Sequence, residues 1–102
     1  MANWEDVRTT LMNVTGATNV YYQPPPTLKM QYPCIIFEKS DEQFKHADNS
    51  VFNRMIEYQA KVVYSDPDCP IIEQMSKVRY CRFDRHYKAD GMYHDVYSLY
   101  FN

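Results

Sequence analysis

Residues 54–66, RMIEYQAKVVYSD, constrain the fold more than any other stretch of the chain. Ile56, Tyr58, Ala60, Val62 and Tyr64 share one parity, and Glu57, Gln59 and Lys61 share the other. A period of two sends the first set to one face of a strand and the second set to the opposite, wetter face. Tyrosine, valine and isoleucine suit a half-buried pleated surface. The run exceeds the usual strand length, which places it at or near the centre of an antiparallel sheet. No catalytic signature lies on it, so a structural or binding role is favoured over catalysis.

Around this strand the other elements can be placed in order. Residues 3–14 have helical spacing, with Trp4, Val7, Leu11 and Val14 on one apolar stripe. Asn3 is the expected N-cap, Glu5 and Asp6 favour the first turn, and Gly16 is the expected stop. Residues 20–23 form a short strand candidate. Pro24, Pro25 and Pro26 forbid helix and interior strand and read as a stiff extended connector. Residues 31–39 form a second strand, with Cys34, Ile35, Ile36 and Phe37 continuous enough to expect burial on both faces. Residues 40–53 are polar and are expected to form a long loop.

After the central strand, Asp66 with Pro67 at the first helical position, or Asp68 instead, should cap a second helix. Ile71, Ile72, Met75 and Val78 would be its buried stripe. Residues 80–88 and 92–102 are strands joined by an Asp90-Gly91 hairpin turn, with Tyr93, Tyr97, Leu99 and Phe101 on one parity of the last. The expectation is a single domain over residues 1–102. Its class is α+β: an antiparallel or mixed sheet of four or five strands, with two helices packed on one face.

Composition narrows the function classes. Of 102 residues, 45 % are hydrophobic and 24 % charged, which is the balance of a folded domain. A formal net charge of -2 gives no basic field of the kind a duplex-binding protein carries. Ten tyrosines are the oddity, and tyrosine is favoured at interfaces because it joins an apolar body to a polar tip. Cys34, Cys69 and Cys81 show neither CxxC nor Cys/His spacing and read as reduced thiols. Cys34 should be buried, and Cys69, opening a helix, should be the most reactive. The sequence shows no secretory signal pattern and no apolar run long enough to span a bilayer, so no membrane association is expected.

Candidate chemistry is thin. His46, His86 and His94 each lie near an aspartate, and His86 and His94 could face each other across the last hairpin. A surface cross-strand pair accounts for that arrangement as well as a metal does. With Gly16 and Gly91 as the only glycines there is no phosphate-binding loop, and no serine has nucleophile-elbow context. No catalytic residue, cofactor or metal site is expected. Arg79, Arg82, Phe83, Arg85 and Tyr87 interleave basic and aromatic side chains, which would suit a single-stranded nucleic acid but equally describes an amphipathic strand.

Several short segments together carry a resemblance. Tyr-Pro-Cys-Ile-Ile-Phe-Glu (32–38) is followed by His-Ala-Asp-Asn (46–49), and a long strand closes in Tyr-Ser-Asp-Pro-Asp (64–68) before a short helix. The chain ends with Tyr-Cys-Arg-Phe-Asp-Arg-His-Tyr (80–87), Ala-Asp-Gly-Met-Tyr-His (89–94) and Ser-Leu-Tyr-Phe (98–101). From residue 33 to 101 this layout resembles the small tail-terminator, or tail-completion, proteins of long-tailed bacteriophages. The resemblance implies a non-enzymatic α+β subunit that closes into a homo-hexameric ring without a cofactor. The ring would cap the tail tube, stop its polymerisation and join the tail to the head connector or head-completion protein. Genomic DNA would pass through its lumen without specific binding. The implied location is the tail-neck region of the virion, after assembly in the host cytoplasm. A different head–tail joining protein and a single-stranded nucleic-acid-binding module are the competing readings.

The expected interface is the 40–53 segment and its flank. Phe44 and Phe52 are large apolar groups for a polar connection, and they accompany Lys45, His46, Asp48, Asn49 and Arg54. Docking on a neighbouring subunit or on the tail-tube ring would bury both phenylalanines as anchors.

Overall fold

The computed structural model describes residues 3–47 and 50–101, together with their side chains outside 41–55. Helix α1 (Trp4–Thr15) is followed by strands β1 (Val20–Tyr22), β2 (Cys34–Ala47) and β3 (Ser50–Tyr64). Helix α2 (Pro70–Met75) and strands β4 (Cys81–Ala89) and β5 (Met92–Phe101) complete the order. The protein is α+β, with one five-stranded sheet ordered β1-β2-β3-β5-β4. β1 pairs with β2 in parallel and every other pair is antiparallel, so the sheet is mixed. β3 is the middle strand, as expected from its length.

Helix α1 begins with a capping box. The Asn3 side chain accepts from the Asp6 N–H, and the Asp6 carboxylate accepts from the Asn3 N–H. It ends at Gly16, whose φ of 74° closes the last turn on the Met12 carbonyl. The proline-rich connector turns at residues 25–28, where the Leu28 N–H bonds to the Pro25 carbonyl. It returns the chain so that β2 runs alongside β1 in the same direction, which a tight hairpin could not achieve.

The core lies on the helix-bearing face. Ile56, Tyr58, Ala60, Val62 and Tyr64 of β3 are buried with Val7 and Leu11 of α1, Ile71 and Met75 of α2, and Val78. Phe37 at its centre is tilted against Tyr22 at 4.9 Å and meets Tyr58 edge-on at 6.0 Å. Trp4 extends this row of rings, stacked on Tyr22 at 5.0 Å.

Four expectations are corrected. Residues 40–53 are not a loop: β2 runs on to Ala47 and β3 begins at Ser50. Polar residues pair there because a hairpin ladder needs backbone groups, not an apolar face. The second helix is capped at Cys69, without a side-chain bond, and opens at Pro70; Asp66 instead accepts from the Asp68 N–H in a tight turn ahead of it. Cys69, the thiol expected to be most reactive, is buried, as Cys34 is, while Cys81 is half-buried. The face expected to be wet buries Val63, Cys34 and Val96, which lie side by side or diagonally across β2, β3 and β5.

Candidate functional site

β3 outruns its neighbours. Its pairing with β5 stops at Ile56↔Phe101, and the pairing of β2 with β1 stops at Phe37↔Tyr22. Beyond these limits, among the described residues, β2 and β3 pair only with each other, out to Ala47↔Ser50. The result is a two-stranded ribbon rooted in the sheet. Six further residues of strand rise roughly 20 Å, in keeping with principal extents of 51 × 30 × 23 Å. The radius of gyration is 14.7 Å, against about 13 Å for a compact chain of this length.

Five of the seven interface candidates, Phe44, Lys45, His46, Phe52 and Arg54, fall on this ribbon. Phe44 pairs in register with Arg54, Lys45 with Asn53 and His46 with Val51. Phe52 is passed over by the ladder, the extra residue of a bulge between Lys45 and His46. Asp48 and Asn49 lie outside the described residues. A second bulge, at Ser40, sits where the ribbon leaves the sheet, and the Ser40 hydroxyl donates to a Glu57 carboxylate oxygen at 2.7 Å. Bulges increase local twist, so the ribbon leaves the sheet with its own orientation.

The opposite edge of the sheet is β4, exposed along most of its length. The basic-aromatic cluster read from the sequence is divided there. Arg82, Arg85 and Tyr87 pair with Ser98, Val96 and His94 on the face without helices. Phe83 pairs with Tyr97 on the helix-bearing face and is 54 % exposed. Arg79 lies before the strand, over the Tyr80 ring. Arg85 is paired with the adjacent Asp84 at 3.0 Å, an exposed contact of small energetic value.

His86 and His94 do not face each other, because they have opposite parity on paired strands. His86 sits opposite Asp95, and His94 stacks on Tyr87 at 4.7 Å. No group of three metal-ligating side chains occurs among the described residues.

One polar centre escaped the sequence reading. Asp95 shares the core-facing parity of Tyr93, Tyr97 and Leu99 and is only 6 % exposed. One of its oxygens accepts from the Tyr64 hydroxyl at 3.0 Å and from His86 Nδ1. Burial, then the bond to Asp95, pushes the Tyr64 hydroxyl up to about 12; burial also pushes Tyr97 strongly upward. These donors satisfy a carboxylate that would otherwise be costly to enclose. The signal was the run of alternate positions 93, 95, 97, 99 and 101, in which Asp95 is the lone charge.

The chain matches no known protein-family model, and no curated protein resembles it significantly.

Proposed function

We propose that this protein is a structural, non-enzymatic subunit of a phage tail terminator. Six copies would form a ring that caps the tail tube and joins it to the head connector. The observation that carries the reading is the β2–β3 ribbon, which leaves the sheet and pairs with no third strand among the described residues. A two-stranded hairpin alone is marginal in water, so a ribbon of this length calls for a partner surface. Phe44 and Phe52 on such an arm would serve as anchors, with Lys45, His46, Asp48, Asn49 and Arg54 at the rim. The abundance of tyrosine and the resemblance of residues 33–101 to tail terminators support the same reading.

The test uses the purified protein with and without tail tubes. Phe44→Ala and Lys45→Glu should each leave the subunit folded by circular dichroism and weaken ring formation or capping. Hydrogen exchange at residues 40–53 should slow on assembly. Equal protection in free and tube-bound protein would refute the role given to the ribbon. A strict monomer that never engages tubes would refute the terminator reading.

A further inference from the structure

A sheet with two open edges at opposite ends can continue from one molecule into the next. Here one open edge is β4, whose outer side has no strand neighbour among the described residues. Another is the outer side of β2 past β1, where positions 41–47 have no neighbour but β3 among the described residues; the outer side of β3 at positions 50–55 is open as well, but its one charge, Arg54, has the same sign as the β4 edge. The β4 and β2 edges both carry backbone N–H and C=O groups able to pair with an incoming strand.

The charges of the two edges differ in sign. β4 carries Arg82, Arg85 and Lys88 against Asp84, whereas positions 41–47 carry Asp41 and Glu42 against Lys45. β4 is also broken by a bulge at Asp84, between Phe83 and Arg85. A bulge discourages any incoming strand alike, so charge is what selects between partners: like charges discourage a strand from pairing with its own copy. Two β4 edges would bring like charges together, and so would two β2 edges. A β4 edge against a β2 edge brings unlike charges together.

We infer that β4 of one copy pairs with the outer edge of β2 in the next copy. The occupant of each edge is then a second copy of this chain, and the contact is heterologous. Heterologous contacts repeat, giving a closed ring when the rotation closes and a filament when it does not. The inference rests on the ring reading above and names the surfaces that would build it. The ribbon then has two roles, since the outer side of β2 supplies the acidic edge and the rest of the ribbon is left for the tube.

Charge reversal tests this on the full chain. Arg82→Glu with Arg85→Glu reverses the β4 edge, and Asp41→Lys with Glu42→Lys reverses the β2 edge. Each pair alone should raise the concentration needed for assembly at least tenfold, read by light scattering and native mass spectrometry. All four substitutions together should restore assembly at low salt, as should mixing the two double variants. Circular dichroism confirms that each variant is folded; a misfolded pair is replaced by Arg85→Gln and Glu42→Gln, which should weaken assembly in the same order. Wild-type assembly with undiminished assembly of both double variants would overturn the edge pairing and leave the ring reading standing. Assembly weakened in both double variants but not restored by the fourfold variant or the mixture would also overturn it. A wild-type chain that stays monomeric with and without tubes would overturn both.

Discussion

Replacing Phe37 by alanine tests the packing argument most directly. Phe37 is fully buried in β2, between Tyr22 at 4.9 Å and Tyr58 at 6.0 Å. Deleting a buried phenyl ring removes its transfer free energy and leaves a cavity, together about 4 kcal/mol. Part of that loss is the two ring contacts, on the order of 1 kcal/mol each. Domains of this size hold roughly 5–15 kcal/mol in all. A loss of about 4 kcal/mol corresponds to a fall in Tm of roughly 20 °C. Trp4→Ala provides the contrast. Trp4 also stacks on Tyr22, at 5.0 Å, but is 41 % exposed and caps the row of rings from outside. Its removal should cost about 1 kcal/mol. Urea denaturation followed by far-UV circular dichroism, at a concentration where the subunit is monomeric, gives both values on one scale. Because Trp4 is the only tryptophan, its fluorescence serves as a second probe in the Phe37 variant. If Phe37→Ala were no more destabilising than Trp4→Ala, the placement of the core on this face would be wrong.

Two further outcomes follow from burial. Val62→Asp puts a carboxylate with no designed partner at a fully buried site and should unfold the subunit, whereas Lys61→Asp, on the partly exposed opposite face, should leave a cooperative transition; the reverse result would mean an inverted register. Tyr64 and Tyr97 should resist ionisation: at pH 11, absorbance at 295 nm should fall short of ten tyrosinates and reach the full value only on unfolding. Since Tyr64 is neutral in the fold up to about 12 but ionises near 10 when unfolded, its contribution is whole below pH 10 and is lost as pH climbs toward 12. A titration curve that reaches the full value by pH 11 while the fold persists would contradict the enclosure of these two hydroxyls.

Elements governed by neighbours in the chain were legible in the sequence. Helix α1 follows from apolar spacing bracketed by Asn3 and Gly16, both of which act through bonds spanning four residues at most. The β3 register follows from strict alternation, and the β4–β5 turn from Asp90 and Gly91, whose φ values of 52° and 75° are those a tight hairpin needs. The partner of a strand is set by contacts between residues far apart in sequence, and only the fold decided those. It turned the segment at residues 40–53 from an expected loop into a ribbon, because each half supplies the ladder that the other lacks. It set Phe83 on the face opposite to Arg82 through strand alternation, and apart from Arg85 and Tyr87 through the bulge at Asp84, which resets the parity. It buried Asp95, because Tyr64 from β3 and His86 from β4 arrive there to satisfy its carboxylate. Local spacing determined helix α1, the inner part of β3 and the β4–β5 turn, and long-range pairing decided how far β2 and β3 extend and which edges and polar groups are left for a partner.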